Sequence, residues 1–247
     1  MDYSWKSDVL GCVSLKLCNS ACINCLPRCE KWIASSALQK CVRRSEAALA
    51  QRAAFTFARL DRQGLWRRLI SIAFEDVGVG DIDVLIETVA IATSPDWRAN
   101  AGEEKALAYL VQRLTEAPKD RSADYLMLAA RLHAGFEHMR QTCKAGSIET
   151  RLKLVADLAE PLAERAVAAW FLSGLDERYE RIVGKGDLQA LGDTYKSLGV
   201  SEQLATATLT AARRTREPFT IMPPLSGWKF SALAPLPSEN APSPDRR

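Results

Sequence analysis

Apolar positions along this chain recur mostly at steps of three and four, the spacing that places side chains on one face of a helix. Between Leu65 and Val77 the residues Trp66, Leu69, Ile70, Ala73 and Val77 follow it, with Arg67, Arg68 and Ser71 off that face. Gly78 stands where a left-handed cap closes such a helix. Asp81 stands as the N-cap of the next one, expected over Ile82–Thr93. That second helix is apolar nearly all round, which predicts burial. Glu75 and Asp76 fall at the end of the first, where the helix dipole leaves partial negative charge. Two carboxylates there need an offset from arginines of another segment or from backbone N–H groups of the next helix. Glu75, Asp76, Gly78 and Asp81 are therefore expected to form a structural corner.

The same periodicity predicts further helices on both sides. Ser36 reads as the cap of the turn entering Ala37-Leu38, and Ser45 as the cap of a helix from Glu46 to Leu60. Residues 94–102, punctuated by Pro95 and Gly102, read as a loop. Helices are expected at Glu103–Thr115, Ser122–Arg140, Ser147–Leu172, Glu177–Val183, Asp187–Leu198 and Ser201–Arg214. Almost nothing alternates with period two, so the predicted fold is all-α, a multi-helix bundle. Seven prolines crowd residues 218–247, which read as a Pro-rich tail, anchored in part by Phe219, Trp228 and Phe230 and disordered toward its end. No run of 18 apolar residues occurs, so no membrane span is expected. The first residues lack a secretory pattern, and the expected location is cytoplasmic.

Composition changes this picture little: 47% hydrophobic and 26% charged residues over 247 positions describe an ordinary globular chain. Charge distribution says more than the net +3. From Arg28 to Arg68 ten Lys/Arg face three Asp/Glu, a local balance of +7 on a mildly acidic remainder. A basic half of this kind suits DNA or an acidic protein partner, or is a solvated helix face. Lys40, Arg43, Arg44, Arg67 and Arg68 are the candidate residues of that surface.

Candidate chemistry is sparse. Cys22 and Cys25 form a C-x-x-C pair, the spacing with which two thiolates grip zinc; Cys18 and Cys29 complete a four-ligand set, tighter than the usual separated pairs. His133 and His138 are the only histidines and sit about 140° apart on a helix, poor for a shared metal. With Cys143 they are the one candidate nucleophile constellation, without an evident acid partner. Gly184-Lys185-Gly186-Asp187 lacks the first glycine and the Ser/Thr of a phosphate loop, so it reads as a turn between helices.

Several short pieces stand in a telling order: Ser36-Ala37-Leu38-Gln39-Lys40, Arg43-Arg44, Arg67-Arg68-Leu69-Ile70, Glu75-Asp76-Val77-Gly78, Glu116-Ala117-Pro118-Lys119 and Tyr125. The set, from Ser35 to about Ala130, resembles the C-terminal helical region of the replication-associated recombination protein A family, bacterial relatives of the Werner-helicase-interacting ATPase. The ATPase part of that family has no counterpart here. The resemblance therefore implies a collar of the clamp-loader type without its motor, and no ATP cofactor. The expected organisation is a Cys-rich extension over 1–34, a collar-like region over 35–145, an additional helical region over 146–217 packed on it, and the tail over 218–247. The expected function is a non-enzymatic assembly or adaptor module, self-associating or docking a protein, linked to DNA replication, recombination or a mobile element. Two other readings stand beside it: a zinc-stabilised nucleic-acid-binding adaptor using the cysteines, and a small enzyme using His133, His138 and Cys143.

Overall fold

The computed structural model describes residues 4–17, 25–27, 29–174 and 185–217. They are all-helical, with thirteen α-helices and no strand among them. These are α1 (Ser4–Lys16), α2 (Lys31–Arg43), α3 (Ala47–Leu60), α4 (Arg62–Ile72), α5 (Ile82–Ala92), α6 (Pro95–Ala101), α7 (Glu103–Glu116), α8 (Ser122–Leu132), α9 (Glu137–Ala145), α10 (Ile148–Ala156), α11 (Leu162–Ser173), α12 (Leu188–Ser197) and α13 (Glu202–Thr215). The expected helix at Glu177–Val183 and the Pro-rich tail lie outside the described residues. No described helix is long and apolar enough to cross a membrane.

α5 is the axis. Its residues Val84 to Ala92 are all buried, as its unbroken apolar run demands. α1, α4, α6, α7 and α13 pack around it. The one carboxylate on this buried stretch, Glu87, accepts from Lys16 Nζ at 3.1 Å, Tyr109 Oη at 3.0 Å and Arg113 Nε at 3.2 Å. A buried charge needs such partners, and here they tie α1 and α7 to α5. Arg98 of α6 does the same at the other end. It donates to the carbonyls of Ile91 and Ala92 at 2.6 and 2.9 Å, so a cation sits on the negative end of the α5 dipole. Its guanidinium lies 4.2 Å above the Trp66 ring, and burial lowers its pKa to about 10. Beyond this group, α11 packs on α8, α9 and α10, while α12 and α13 pair with each other.

Several boundaries differ from expectation, each for a local reason. Residues 4–16 form a helix where the cysteine-rich composition suggested an extension; Trp5, Leu10 and Val13 are buried and the helix lies on α5. Ser36 is inside α2, not a cap, because the helix already begins at Lys31. Ser45 does not cap α3. It takes φ +59°, and Glu46 N–H donates to Cys41 O at 2.9 Å, closing α2 with a left-handed turn. Asp61, expected in a connection, is the N-cap of α4, accepting from Gly64 N at 2.8 Å. The 94–102 loop is mostly helix, since Pro95 is well placed in a first turn. Ser122–Arg140 is two helices with a break at His133, and Ser147–Leu172 is two with a break before Pro161, whose ring cannot follow a helical turn.

Candidate functional site

The segment from Ala73 to Asp81 is built differently from a plain helix end. α4 stops at Ile72, and Ala73–Val77 form a wider π turn, followed by a tight 3-10 turn at Gly78–Gly80. Widening a turn rotates the side chains after it, and here Asp76 becomes fully buried. Its Oδ1 accepts from Arg43 Nε of α2 at 2.6 Å, and Arg121 Nε lies 3.4 Å from the same oxygen. Asp76 Oδ2 has no hydrogen-bond partner among the described residues. The Arg43 guanidinium is held more firmly protonated by its bond to Asp76. Arg121 also reaches Asp124 Oδ2 at 2.5 Å and Tyr125 Oη at 3.1 Å, and stands over the Tyr125 ring at 4.9 Å. One carboxylate thus links α2, the π turn and the segment that leads into α8.

Glu75 faces a second layer. Gln39 Nε2 donates to it at 2.7 Å, and Arg68 Nη2 donates to Gln39 Oε1. Burial raises the Glu75 pKa against the pull of Arg68. The folded state therefore holds the Glu75 proton more tightly than the unfolded chain does. Stability on this account is full below the unfolded carboxyl pKa, about 4.3, and falls as pH rises through the folded value. Glu75→Gln should flatten that loss. Urea midpoints of wild type and variant measured from pH 4 to 8 should diverge upward in favour of the variant; parallel curves would remove Glu75 from the account.

Gly78 has φ +53° and ψ −137°, so it is not the left-handed cap expected but a backbone shape open to glycine alone. Its bare Cα lets the 117–121 segment approach: a Cβ there would lie 2.2 Å from Asp120 O. Gly80 does likewise beside Pro118 O. Asp120 N–H in turn donates to Val77 O at 3.1 Å. Asp81 is the N-cap of α5, as expected, accepting from Val84 N at 3.1 Å.

The basic residues divide. Arg43 and Arg68 point into the corner and are engaged there, so the five-residue basic surface is not intact. Lys40, Arg44 and Arg67 are exposed and form no ion pair among the described residues. Arg121, the residue just before α8, also offsets Asp76, and no sequence expectation named it. The spacing of Arg121 to Tyr125, one helical turn, was the available signal.

The other candidates come together less. Cys18 and Cys22 lie outside the described residues. Cys25 and Cys29 are half-buried free thiols, and no described group of three His, Cys, Asp or Glu is placed to hold a metal. Cys143 is fully buried and burial pushes its thiol up to about 11, the reverse of an activated nucleophile. His133 Nδ1 accepts from Gly135 N at 3.1 Å, and His138 is exposed on α9. A search of protein-family models, of curated proteins and of solved structures finds no match to this chain.

Proposed function

We propose that this chain is a helical assembly module of the collar kind, which docks through the outer face of α2 and α4 onto DNA or a DNA-bound protein machine. One observation supports the reading above others. The pieces that resemble the replication-associated recombination protein A family are scattered over about ninety residues, yet they meet at one place. Gln39, Arg43, Arg68, Glu75, Asp76, Gly78, the loop after Pro118, and Tyr125 all belong to the corner. With its cations turned inward, the corner is a rigid frame, and Lys40, Arg44 and Arg67 remain outside it. The Cys143 and histidine geometry gives an enzyme no comparable support.

The test is binding to a labelled 20-base-pair duplex and a labelled 20-nucleotide strand across salt, with light scattering to read self-association. Each phosphate contact releases roughly one counterion, so affinity should fall steeply with salt. The triple variant Lys40→Ala, Arg44→Ala, Arg67→Ala should keep the fold, since all three are exposed, and should lower the salt slope by about two to three. An unchanged slope, or a monomer that binds neither nucleic acid, would overturn the proposal.

A further inference from the structure

Trp32 is the most exposed aromatic residue of the described chain, 65% open to solvent. Ile33, next to it in sequence, is exposed too. The Trp32 ring is also held: its Nε1–H donates to Glu30 Oε2 at 2.5 Å, which fixes the ring edge and leaves its faces open. Its surroundings are cationic on one side. On α2 the solvent-facing stripe, opposite buried Ala34, Leu38 and Cys41, runs from Trp32 and Ile33 through Ser36 to Lys40, with Arg44 at the C-cap just beyond. Lys40 lies eight residues on, about 12 Å along the axis. Arg67 of α4 is exposed as well, and its charge acts on Asp61, which pairs at 3.1 Å with Lys31, the residue before Trp32.

We infer that this stripe is a single-stranded nucleic-acid site, with Trp32 as the platform for one base and Lys40, Arg44 and Arg67 as phosphate contacts. The inference rests on the nucleic-acid side of the function proposed above and gives it a strand form. Single strands bind where an open aromatic face adjoins a cationic track, because every base has a stacking face and every nucleotide a phosphate. A duplex offers Trp32 no base face, since its bases are stacked on one another. Glu30 sets the polarity of the site: its carboxylate repels a phosphate at the Trp32 edge, so the backbone lies toward Lys40 and Arg44 while the base lies over the ring. Ile33, 39% exposed, extends the apolar patch beside the stacked base.

Anisotropy with fluorescein-labelled (dT)20 and a labelled 20-base-pair duplex tests it on the full chain. Trp32→Ala should weaken (dT)20 binding about tenfold, the loss of one base stack, and leave duplex binding unchanged. Its salt slope on (dT)20 should match wild type, because an indole releases no counterion. Trp32→Phe should restore most of the loss, and circular dichroism should show both variants folded. If Trp32→Ala binds (dT)20 like wild type, the stacking site is overturned while a basic nucleic-acid face survives. If neither probe binds wild type, that face falls too. If Trp32→Ala instead abolishes self-association and leaves (dT)20 binding alone, the stripe is a protein interface and the inference is wrong.

Discussion

Asp76→Ala is expected to cost about 2–4 kcal/mol of folding stability. Removing one partner of a fully buried pair typically costs about 3–5 kcal/mol, because the remaining charge is stranded. The corner discounts that range. The Arg43 and Arg121 side chains are 37% and 27% exposed, so each can turn partly toward water once Asp76 is gone. What cannot relax is the geometry: α2, the π turn and the segment before α8 lose the carboxylate that bridges all three. Asp76→Asn should cost less than the alanine change, because its carbonyl still accepts from Arg43. The measurement is a urea titration, in which the midpoint should fall with the slope unchanged. A loss within about 0.5 kcal/mol, the range of an ordinary surface change, would mean that Asp76 is not the joint. A double cycle with Arg43→Met would then show whether Arg121 alone carries the pair.

How much of this corner the sequence displays depends on distance along the chain. The helix carrying Trp66, Leu69 and Ile70 is legible because three-and-four spacing is local. The Asp81 cap is legible for the same reason: acceptor and donor are three residues apart. The π turn is not. One extra residue in a turn leaves the apolar pattern readable as a continuous helix, and only the burial of Asp76 reveals the shift. Arg121 is hidden because it reaches Asp76 from 45 residues away, and no local rule selects it among the basic residues. α1 illustrates the opposite error. Trp5, Val9 and Val13 are spaced by four, a usable helical signal inside a cysteine-rich stretch. Trp32 shows a third limit, since a solvent-facing and a buried tryptophan look alike in sequence.

The glycine that admits the 117–121 segment gives the other large effect: Gly78→Ala should destabilise by about 3–5 kcal/mol. Two terms add. A backbone at φ +53° and ψ −137° is open to glycine and strained for alanine by roughly 1–3 kcal/mol. The new methyl would also lie 2.2 Å from Asp120 O, which is backbone and cannot rotate away. Relieving that contact breaks the 3.1 Å bond from Asp120 N–H to Val77 O and pushes the segment before α8 outward. Overpacking of this kind adds about 1–3 kcal/mol. Gly199→Ala separates the terms: its φ is +88°, but nothing lies within 4 Å of a Cβ there. That variant should pay only the backbone strain, about 1–2 kcal/mol. Thermal or urea unfolding of both proteins reads the difference directly. Equal losses would mean that the 117–121 segment moves freely and that the corner is closed by Asp76 and its arginines alone. A larger loss at Gly78, with Arg121 displaced from Asp76, is the expected result, because the glycine sets the distance across which that ion pair forms.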